Sequence, residues 1–352
     1  MGPGAGPGHR FDGPRRAARG LGSADGVASG YLPAMPAPGE PLLRPPITDG
    51  RIEPRLAAAV SHSMHDTGLA KLHCVQAGEG PPIVLLHGVP EFWYVWRWQI
   101  PALADAGFRV VAPDLRGQGG SQMFGDADDF TLDLLVSDVI GLLDALELPS
   151  AVLVGHGHGG LVAWLTAMAH PDRIRGIAAL NAPHPSWLGR MANDPIQVVR
   201  SAASAATRIP LLPERVLGLG AGRLPRERWE RAIANPAART DGDLQLFVDA
   251  LLQSEDTRRG AVNFTRALEL FGGRFIKDSL AELRRPALVL WGDNDPTLRP
   301  RYAAPPEGWC RRLDVQRFPV GRFVMLDEPD PVSASLASFA TLAFEHDPWE
   351  DD

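Results

Sequence analysis

Residues 152–160 read Val152-Leu153-Val154-Gly155-His156-Gly157-His158-Gly159-Gly160, and this segment indicates the fold class. Its apolar start predicts a buried strand, and the glycines then predict a sharp turn that leads into a helix. In a Gly-x-Xaa-x-Gly turn of this kind, the middle residue projects its side chain from a strained backbone, and enzymes place a nucleophile there. Here the middle residue is Gly157, which has no side chain. The segment therefore indicates the fold. It does not indicate the nucleophilic chemistry that such a turn usually performs.

Strands and helices alternate on both sides of this turn, which predicts right-handed crossovers and a mostly parallel sheet. The strands are predicted at residues 71–75, 82–86, 108–112, 151–154, 177–180, 286–291 and 312–318. The helices are predicted at residues 92–107, 132–146, 161–170 and 332–345.

A long helical insertion interrupts this alternation. Residues 186–278 are rich in Arg, Ala and Leu, and they are predicted to form a helical cap over the sheet edge where open α/β sheets bind ligands. The core then comprises residues 60–185 and 279–347. Residues 1–55 are rich in Gly, Pro, Ala and Arg without apolar periodicity, so they are predicted to be a disordered N-terminal arm.

Composition excludes several classes of protein. A net charge of −7 argues against a nucleic-acid partner, which would require clustered positive charge. The two cysteines, Cys74 and Cys310, are too few for a disulfide framework or a zinc site. No apolar run is long enough to span a membrane, so a cytoplasmic protein is expected. No metal-ligand spacing, P-loop or dinucleotide fingerprint is present, so neither a metal nor a cofactor is predicted.

These segments resemble the epoxide hydrolase branch of the α/β-hydrolase superfamily over residues 60 to 345. The resemblance implies the α/β-hydrolase fold: a mostly parallel central sheet flanked by helices, with the helical cap inserted after the sixth strand. It also implies an aspartate nucleophile, a histidine that activates water, an acid that orients this histidine and two cap tyrosines. The motifs that carry it are residues 87–94 (His-Gly-Val-Pro-Glu-Phe-Trp-Tyr), 114–119 (Asp-Leu-Arg-Gly-Gln-Gly), 152–160, 181–185 (Asn-Ala-Pro-His-Pro) and 291–295 (Trp-Gly-Asp-Asn-Asp).

When the family motif is matched to this sequence residue by residue, most of these catalytic side chains are missing. The nucleophile position is Gly157, the acid position is Asp295, and the histidine position is Arg322. The cap pattern that usually supplies a tyrosine is Asn263-Phe264-Thr265-Arg266. Because arginine stays protonated and glycine has no side chain, the covalent hydrolytic route is predicted to be absent.

Some functional parts remain. By the resemblance, the backbone N–H groups of Val89 and His158 form the oxyanion hole. The imidazole of His158 is predicted to face the pocket, as a general acid or base near neutral pH or simply as a hydrogen-bonding part of the pocket wall. Asp295 and Arg322 are expected to form an ion pair. Arg322 then either fills the old site as a structural salt bridge or points at the substrate and stabilises an oxyanion or phenolate.

Five further residues are predicted to contact a substrate. They are Trp93, Asn263, Phe264, Thr265 and Met325. For Trp93, plain core packing is the alternative, and Met325 is expected to pack beneath Arg322. The missing carboxylate at residue 157 is expected to enlarge the pocket.

The residues and the resemblance together predict a non-hydrolytic enzyme that binds a large apolar molecule, polyketide-type or epoxide-bearing. It would promote cyclisation, rearrangement, epoxide opening or carbon–carbon bond formation by positioning and polarisation. Similar triad-deficient proteins belong to natural-product pathways. Two alternatives stay open: a catalytically inactive ligand-binding protein, and an epoxide or ester hydrolase with relocated catalytic residues. The expected partner is a small apolar substrate, without nucleic acid or membrane, and the oligomeric state is not predicted.

Overall fold

The computed structural model describes residues 52–201, 222–279 and 282–345, without the side chains of 268–279. Most of the predicted disordered arm, residues 1–51, lies outside the described residues. The predicted end of the arm at residue 55 is wrong, because helix α1 (Pro54–Ala59) begins inside it. Leu56 of this helix and Ile52, which lies just before it, are both buried in the core, so the helix is anchored by apolar contacts.

A mixed sheet forms the centre of the described molecule. Its strands are β1 (Ser61–Asp66), β2 (Lys71–Ala77), β3 (Pro82–Leu86), β4 (Arg109–Pro113), β5 (Ala151–His156), β6 (Ile174–Leu180), β7 (Ala287–Gly292) and β8 (Leu313–Phe318). In space they follow the order β1-β2-β4-β3-β5-β6-β7-β8. The β1–β2 and β2–β4 pairs are antiparallel, and all the other pairs, from β4–β3 to β7–β8, are parallel, so the sheet is mostly parallel as predicted.

Helices cover both faces of this sheet, because the central strands are apolar on both sides. In β5, Val152 and Val154 belong to one core cluster, whereas Leu153 belongs to the cluster on the other face. The core helices are α2 (Gln99–Asp105), α3 (Leu132–Ala145), α4 (His158–Ala169), α10 (Val324–Asp327) and α11 (Pro329–Glu345). Among the described residues between β6 and β7, the helices are α5 (Leu188–Met191), α6 (Pro195–Arg200), α7 (Arg223–Ala232), α8 (Asp241–Leu252) and α9 (Glu255–Ser279). The helical insertion therefore follows the sixth strand, and we call it the cap.

One predicted helix is interrupted in the structure. In place of a continuous helix over residues 92–107 there is a 3₁₀ turn, Trp93–Trp96, followed by α2. Pro101 explains the break, because a proline cannot donate to the carbonyl four residues earlier and its ring clashes with that carbonyl. The proline lies in the first turn of α2, where its missing N–H is harmless.

The described ranges contain neither a candidate membrane span nor a candidate metal cluster. No helix in these ranges combines the length and the hydropathy needed to cross a membrane. No group of three or more His, Cys, Asp or Glu side chains in the same ranges is placed to hold a metal ion. Cys74 is buried, Cys310 is partly buried, and both are free thiols.

Candidate functional site

The turn between β5 and α4 has the strand–turn–helix geometry that its sequence predicts. Gly157 joins the two elements with φ 52° and ψ −115°, a conformation that residues with a side chain rarely adopt. Its N–H donates to the carbonyl of Leu180 at 3.0 Å, at the end of β6. Two residues on, a Cβ at Gly159 would clash with the carbonyl oxygens of Leu86 and His87. The second glycine therefore lets the start of α4 lie directly against the end of β3.

Three distant positions meet at this turn. The Nη1 atom of Arg322 donates to Oδ2 of Asp295 at 3.2 Å, so the predicted ion pair is present. The Nη2 atom of Arg322 lies 2.8 Å from the point where a Cβ on Gly157 would be. The predicted enlargement of the pocket is therefore not found at the Cβ position of residue 157 itself, because Nη2 of Arg322 lies beside that position.

Asp295 is held by four donors. Its Oδ1 accepts the N–H groups of Thr297 at 2.7 Å and Leu298 at 3.1 Å, and its Oδ2 accepts Nδ2 of Asn181 at 3.0 Å besides Arg322. The carboxylate is wholly buried. Because Asp295 follows β7 and Asn181 follows β6, the sheet edge itself fixes the oxygen that orients Arg322.

The backbone of Arg322 is held in place from two sides. Its N–H donates to the carbonyl of Ala232, at the end of cap helix α7, at 3.2 Å. Its carbonyl oxygen lies 3.3 Å from Nε2 of His156. The side chain is 17% exposed, and among the described residues its Nε and Nη2 make no hydrogen bond. One edge of the guanidinium is therefore held by Asp295, and the other stays available.

A buried Glu91–His156 pair behind the turn was missed at the sequence level. Oε2 of Glu91 lies 2.9 Å from Nδ1 of His156 and accepts the N–H of Gly88 at 2.9 Å. Burial alone would raise the pKa of Glu91, but the neighbouring His156 lowers it overall. Only the sequence positions of the two residues, each inside a recognised motif, could have suggested this contact.

His158, the first residue of α4, has an apolar environment. Its Nδ1 is buried without a hydrogen-bond partner among the described residues, and its ring contacts that of Phe264 edge-on, at 6.4 Å between centroids. Burial, and after it the charge of Arg322, lowers the pKa of His158 to about 3. This low pKa argues against the predicted role as a general acid or base near neutral pH, because a group with this pKa is a very weak base at pH 7. The alternative, in which His158 forms a hydrogen bond within the pocket wall, is not supported at Nδ1, because this atom has no hydrogen-bond partner among the described residues.

The two backbone donors expected to form the oxyanion hole are available. The N–H groups of Val89 and His158 donate to no acceptor among the described residues. His158 begins a helix, so its N–H has no intrahelical partner. Val89 follows β3 and packs against both core clusters. These donors remain a predicted site for an oxygen that gains negative charge.

Of the predicted substrate contacts in the cap, one approaches the turn. Phe264 on α9 is wholly buried, and its ring contacts those of His158 and Phe130. The polar neighbours of Phe264 bond within their own helix: Thr265 donates to the carbonyl of Ala261, and Asn263 accepts from Arg266.

The two predicted contacts in the core are packed away from solvent. Trp93 is wholly buried, with its ring against those of His62 and Tyr94, so the core-packing alternative describes it better than pocket lining. Met325 is also wholly buried, in the cluster that contains Phe323, and its carbonyl accepts from Gln99.

Comparison with known proteins gives one consistent result. Residues 81–329 match the sequence profile of a family described as alpha/beta hydrolase fold. The chain is 30% identical over 295 residues to bifunctional epoxide hydrolase 2 of Sus scrofa, a match covering 76% of this chain and 52% of that protein. It thus spans about half the length of that relative. It is also 30% identical over 297 residues to epoxide hydrolase 4 of Mus musculus, covering 82% of this chain and 80% of that protein. The crystal structure of epoxide hydrolase A from Mycobacterium thermoresistibile has a TM-score of 0.65 at 28% identity, covering 80% of this chain and 98% of that one.

Proposed function

The chain belongs to the α/β-hydrolase fold family and has epoxide hydrolases among its relatives, and on that premise we propose that it is a non-hydrolytic member. It binds a large apolar molecule, epoxide-bearing or polyketide-type, and promotes its cyclisation, rearrangement, epoxide opening or carbon–carbon bond formation. It does so by positioning and polarising the ligand, in the manner of natural-product enzymes.

The observation that carries this proposal is the guanidinium of Arg322 in front of Gly157. A hydrolytic cycle through a covalent intermediate needs a side-chain nucleophile and a base that activates water. Glycine supplies no nucleophile, and a guanidinium cannot take a proton from water. The two histidines nearest to the turn do not replace the base, because His156 faces Glu91 and the Arg322 carbonyl, and His158 has a pKa of about 3.

What remains suits polarisation. Two backbone N–H groups and a cation can stabilise negative charge that develops on a carbonyl or epoxide oxygen. Holding two reacting groups of one ligand in the correct orientation lowers the activation free energy by about 7 kcal/mol or more in favourable cases. Catalysis therefore does not require the missing side chains.

The test is diol formation from styrene oxide, measured by chromatography. The unaltered protein should form no diol above the buffer background, and Gly157→Asp with Arg322→His should gain activity. Gly157→Asp alone is the matched control; it should stay inactive, because its carboxylate faces Arg322 and no base is present. Diol formation by the unaltered protein would instead establish the hydrolase with relocated residues.

A second candidate, binding without catalysis, is favoured by the environment of His158. With a pKa of about 3 and Nδ1 unpaired, this imidazole supplies no proton transfer at neutral pH. Saturable binding of apolar epoxides with no product detectable by mass spectrometry would select this candidate.

A further inference from the structure

The free edge of Arg322 indicates a substrate class. We propose that the ligand carries a carboxylate that binds Nη2 of Arg322 in front of Gly157, and that this carboxylate opens an epoxide of the same ligand. The inference rests on the proposed non-hydrolytic function and narrows its substrates to epoxy acids.

The first support is the geometry of the guanidinium. Nη1 is held by Asp295, which fixes the plane of the group, while Nε and Nη2 are unbonded among the described residues. Adjacent N–H groups of arginine match the two oxygens of a carboxylate and bind them in a fork. Because Nη2 lies 2.8 Å from the Cβ point of Gly157, a carboxylate on this edge sits at the mouth of the turn.

The second support is the charge around His158. After burial, the main influence on its pKa is the positive charge of Arg322, and Arg228 of the cap acts in the same direction. Glu91 opposes them, but its carboxylate is already bonded to His156 and to the N–H of Gly88. Asp295 balances the charge of Arg322, but its oxygens already accept from four donors, so towards the turn this pair offers only N–H groups, which favours an anionic ligand.

The third support is that one assumption explains two replaced positions. When the attacking carboxylate belongs to an enzyme aspartate, the ester stays attached to the protein, and a base must activate water to release it. When the carboxylate belongs to the ligand, the ester is itself the product and leaves. The nucleophile and the base then become dispensable together, and a cation that holds the ligand carboxylate is useful where the base stood. Gly157 and Arg322 fit this exchange.

The step balances without an oxidant or a cofactor. One carboxylate oxygen attacks an epoxide carbon, a new C–O bond forms, and the C–O bond of the epoxide breaks. The electron pair goes to the epoxide oxygen, which takes a proton from water. The hydroxide left behind is neutralised by the proton that the acid released to the solvent when it ionised. The product is a hydroxylated lactone, an isomer of the starting epoxy acid.

The binding part is tested by calorimetry with 4-phenylbutyrate and its uncharged analogue 4-phenylbutyramide. The dissociation constant of the acid should be at least about tenfold lower than that of the amide, because a charge-assisted hydrogen bond contributes this much affinity. Arg322→Gln should remove this preference. Arg317→Gln is the matched control, because Arg317 pairs with Asp293 on the surface. Equal binding of acid and amide, or no saturable binding of the acid, would overturn the inference.

A second pair of variants covers the case in which Arg322→Gln fails to fold, since it leaves buried Asp295 without its cation. Gly157→Asp and Gly157→Asn impose the same backbone strain and nearly the same volume, but only the aspartate offers an internal carboxylate to Arg322. The affinity for 4-phenylbutyrate should fall about tenfold further in the aspartate variant. Equal affinities in the two variants would count against the site.

The chemical part is tested with 5-phenyl-4,5-epoxypentanoate in ¹⁸O-labelled water. The unaltered protein should form the lactone without label, and Arg322→Gln should lose this activity. A labelled diol would overturn both the inference and the proposed function. A preference for the acid in binding, followed by no product, would overturn the ring-opening step alone and favour the binding-only candidate. A product formed equally well from the epoxy amide would overturn the inference and leave the proposed function standing.

Discussion

At residue scale, the backbone of Gly157 is the most constrained point of the site. Its φ of 52° and ψ of −115° are unfavourable for any residue with a Cβ, and that Cβ would also press on Nη2 of Arg322. We expect Gly157→Ala to lower the free energy of unfolding by about 1–3 kcal/mol, measured in urea. Gly242→Ala is the control: it lies in the first turn of α8 with only Thr240 nearby, and it should be neutral or stabilising. Similar losses in both variants would contradict strain at the turn.

The pKa of His158 makes a prediction about acid stability. Because it falls from the ordinary 6.5 to about 3 on folding, the unfolded chain binds a proton between these values that the folded protein does not. Stability should therefore fall as the pH drops from 6.5 towards 3. His158→Gln should remove up to about 2 kcal/mol of this loss between pH 6.5 and 5.

Urea unfolding at the two pH values measures this effect. His184 remains in both proteins as a background contribution of the same sign, because burial lowers its pKa to about 4. Identical pH slopes in the two proteins would show that the imidazole of His158 is solvated.

The sequence could predict which residues meet at the turn, but not their environment. Gly157, Asp295 and Arg322 each occupy a recognisable motif position, so their proximity followed from the resemblance. The depressed pKa of His158 did not, because it depends on burial by Phe264 and on the charge of Arg322, which come from distant parts of the chain.

At the scale of elements, two arginine–aspartate pairs differ in burial and in the number of hydrogen bonds, two in the buried pair and one in the exposed pair. Arg116, in the loop after β4, bonds Asp138 of α3 at 2.6 Å with both side chains at most 4% exposed. Arg173 bonds Asp144, also of α3, at 2.7 Å with the side chains 28% and 63% exposed.

Substitution should separate these pairs. We expect Arg116→Met to lower the free energy of unfolding by about 3–5 kcal/mol, because it leaves a buried carboxylate without its partner. Arg173→Met should change it by about 1 kcal/mol or less. Denaturant unfolding of both variants measures the difference, and equal effects would mean that burial does not decide the value of these pairs.

Element prediction succeeded where burial is uniform and failed at one edge of the sheet, β1, although the other edge strand, β8, was predicted to within one residue. The strands β3, β5, β6 and β7 are apolar runs, and their predicted bounds lie within a few residues of the structure. β1 was missed because it is an exposed edge strand whose His62, Ser63 and His65 carry no apolar pattern. Its pairing with β2 is visible only in the folded sheet.

At the scale of the whole molecule, one carboxylate joins the cap to the core. Oδ1 of Asp327 accepts the N–H groups of Ala234 at 2.7 Å and Asn235 at 2.9 Å, just after α7, and Oδ2 accepts that of Gly321 at 3.0 Å. We expect Asp327→Ala to speed amide hydrogen exchange at these three residues and to lower the melting temperature. Asp330→Ala, an exposed substitution nearby, is the control. Unchanged exchange at residues 234 and 235 would show that other contacts hold this junction.

The same junction has a mechanical consequence. Gly321 precedes Arg322, whose own N–H is bonded to Ala232, so the end of α7 and the guanidinium are carried by one continuous set of bonds. A displacement of the C-terminal end of α7 therefore shifts the backbone of Arg322 and with it the guanidinium. Conversely, a ligand that moves the guanidinium exerts a force on that end of α7. By reciprocity, a ligand that binds Arg322 and a ligand that shifts α7 change each other's affinity by the same factor. The position of the cap and the position of the positive charge in the site are thus coupled.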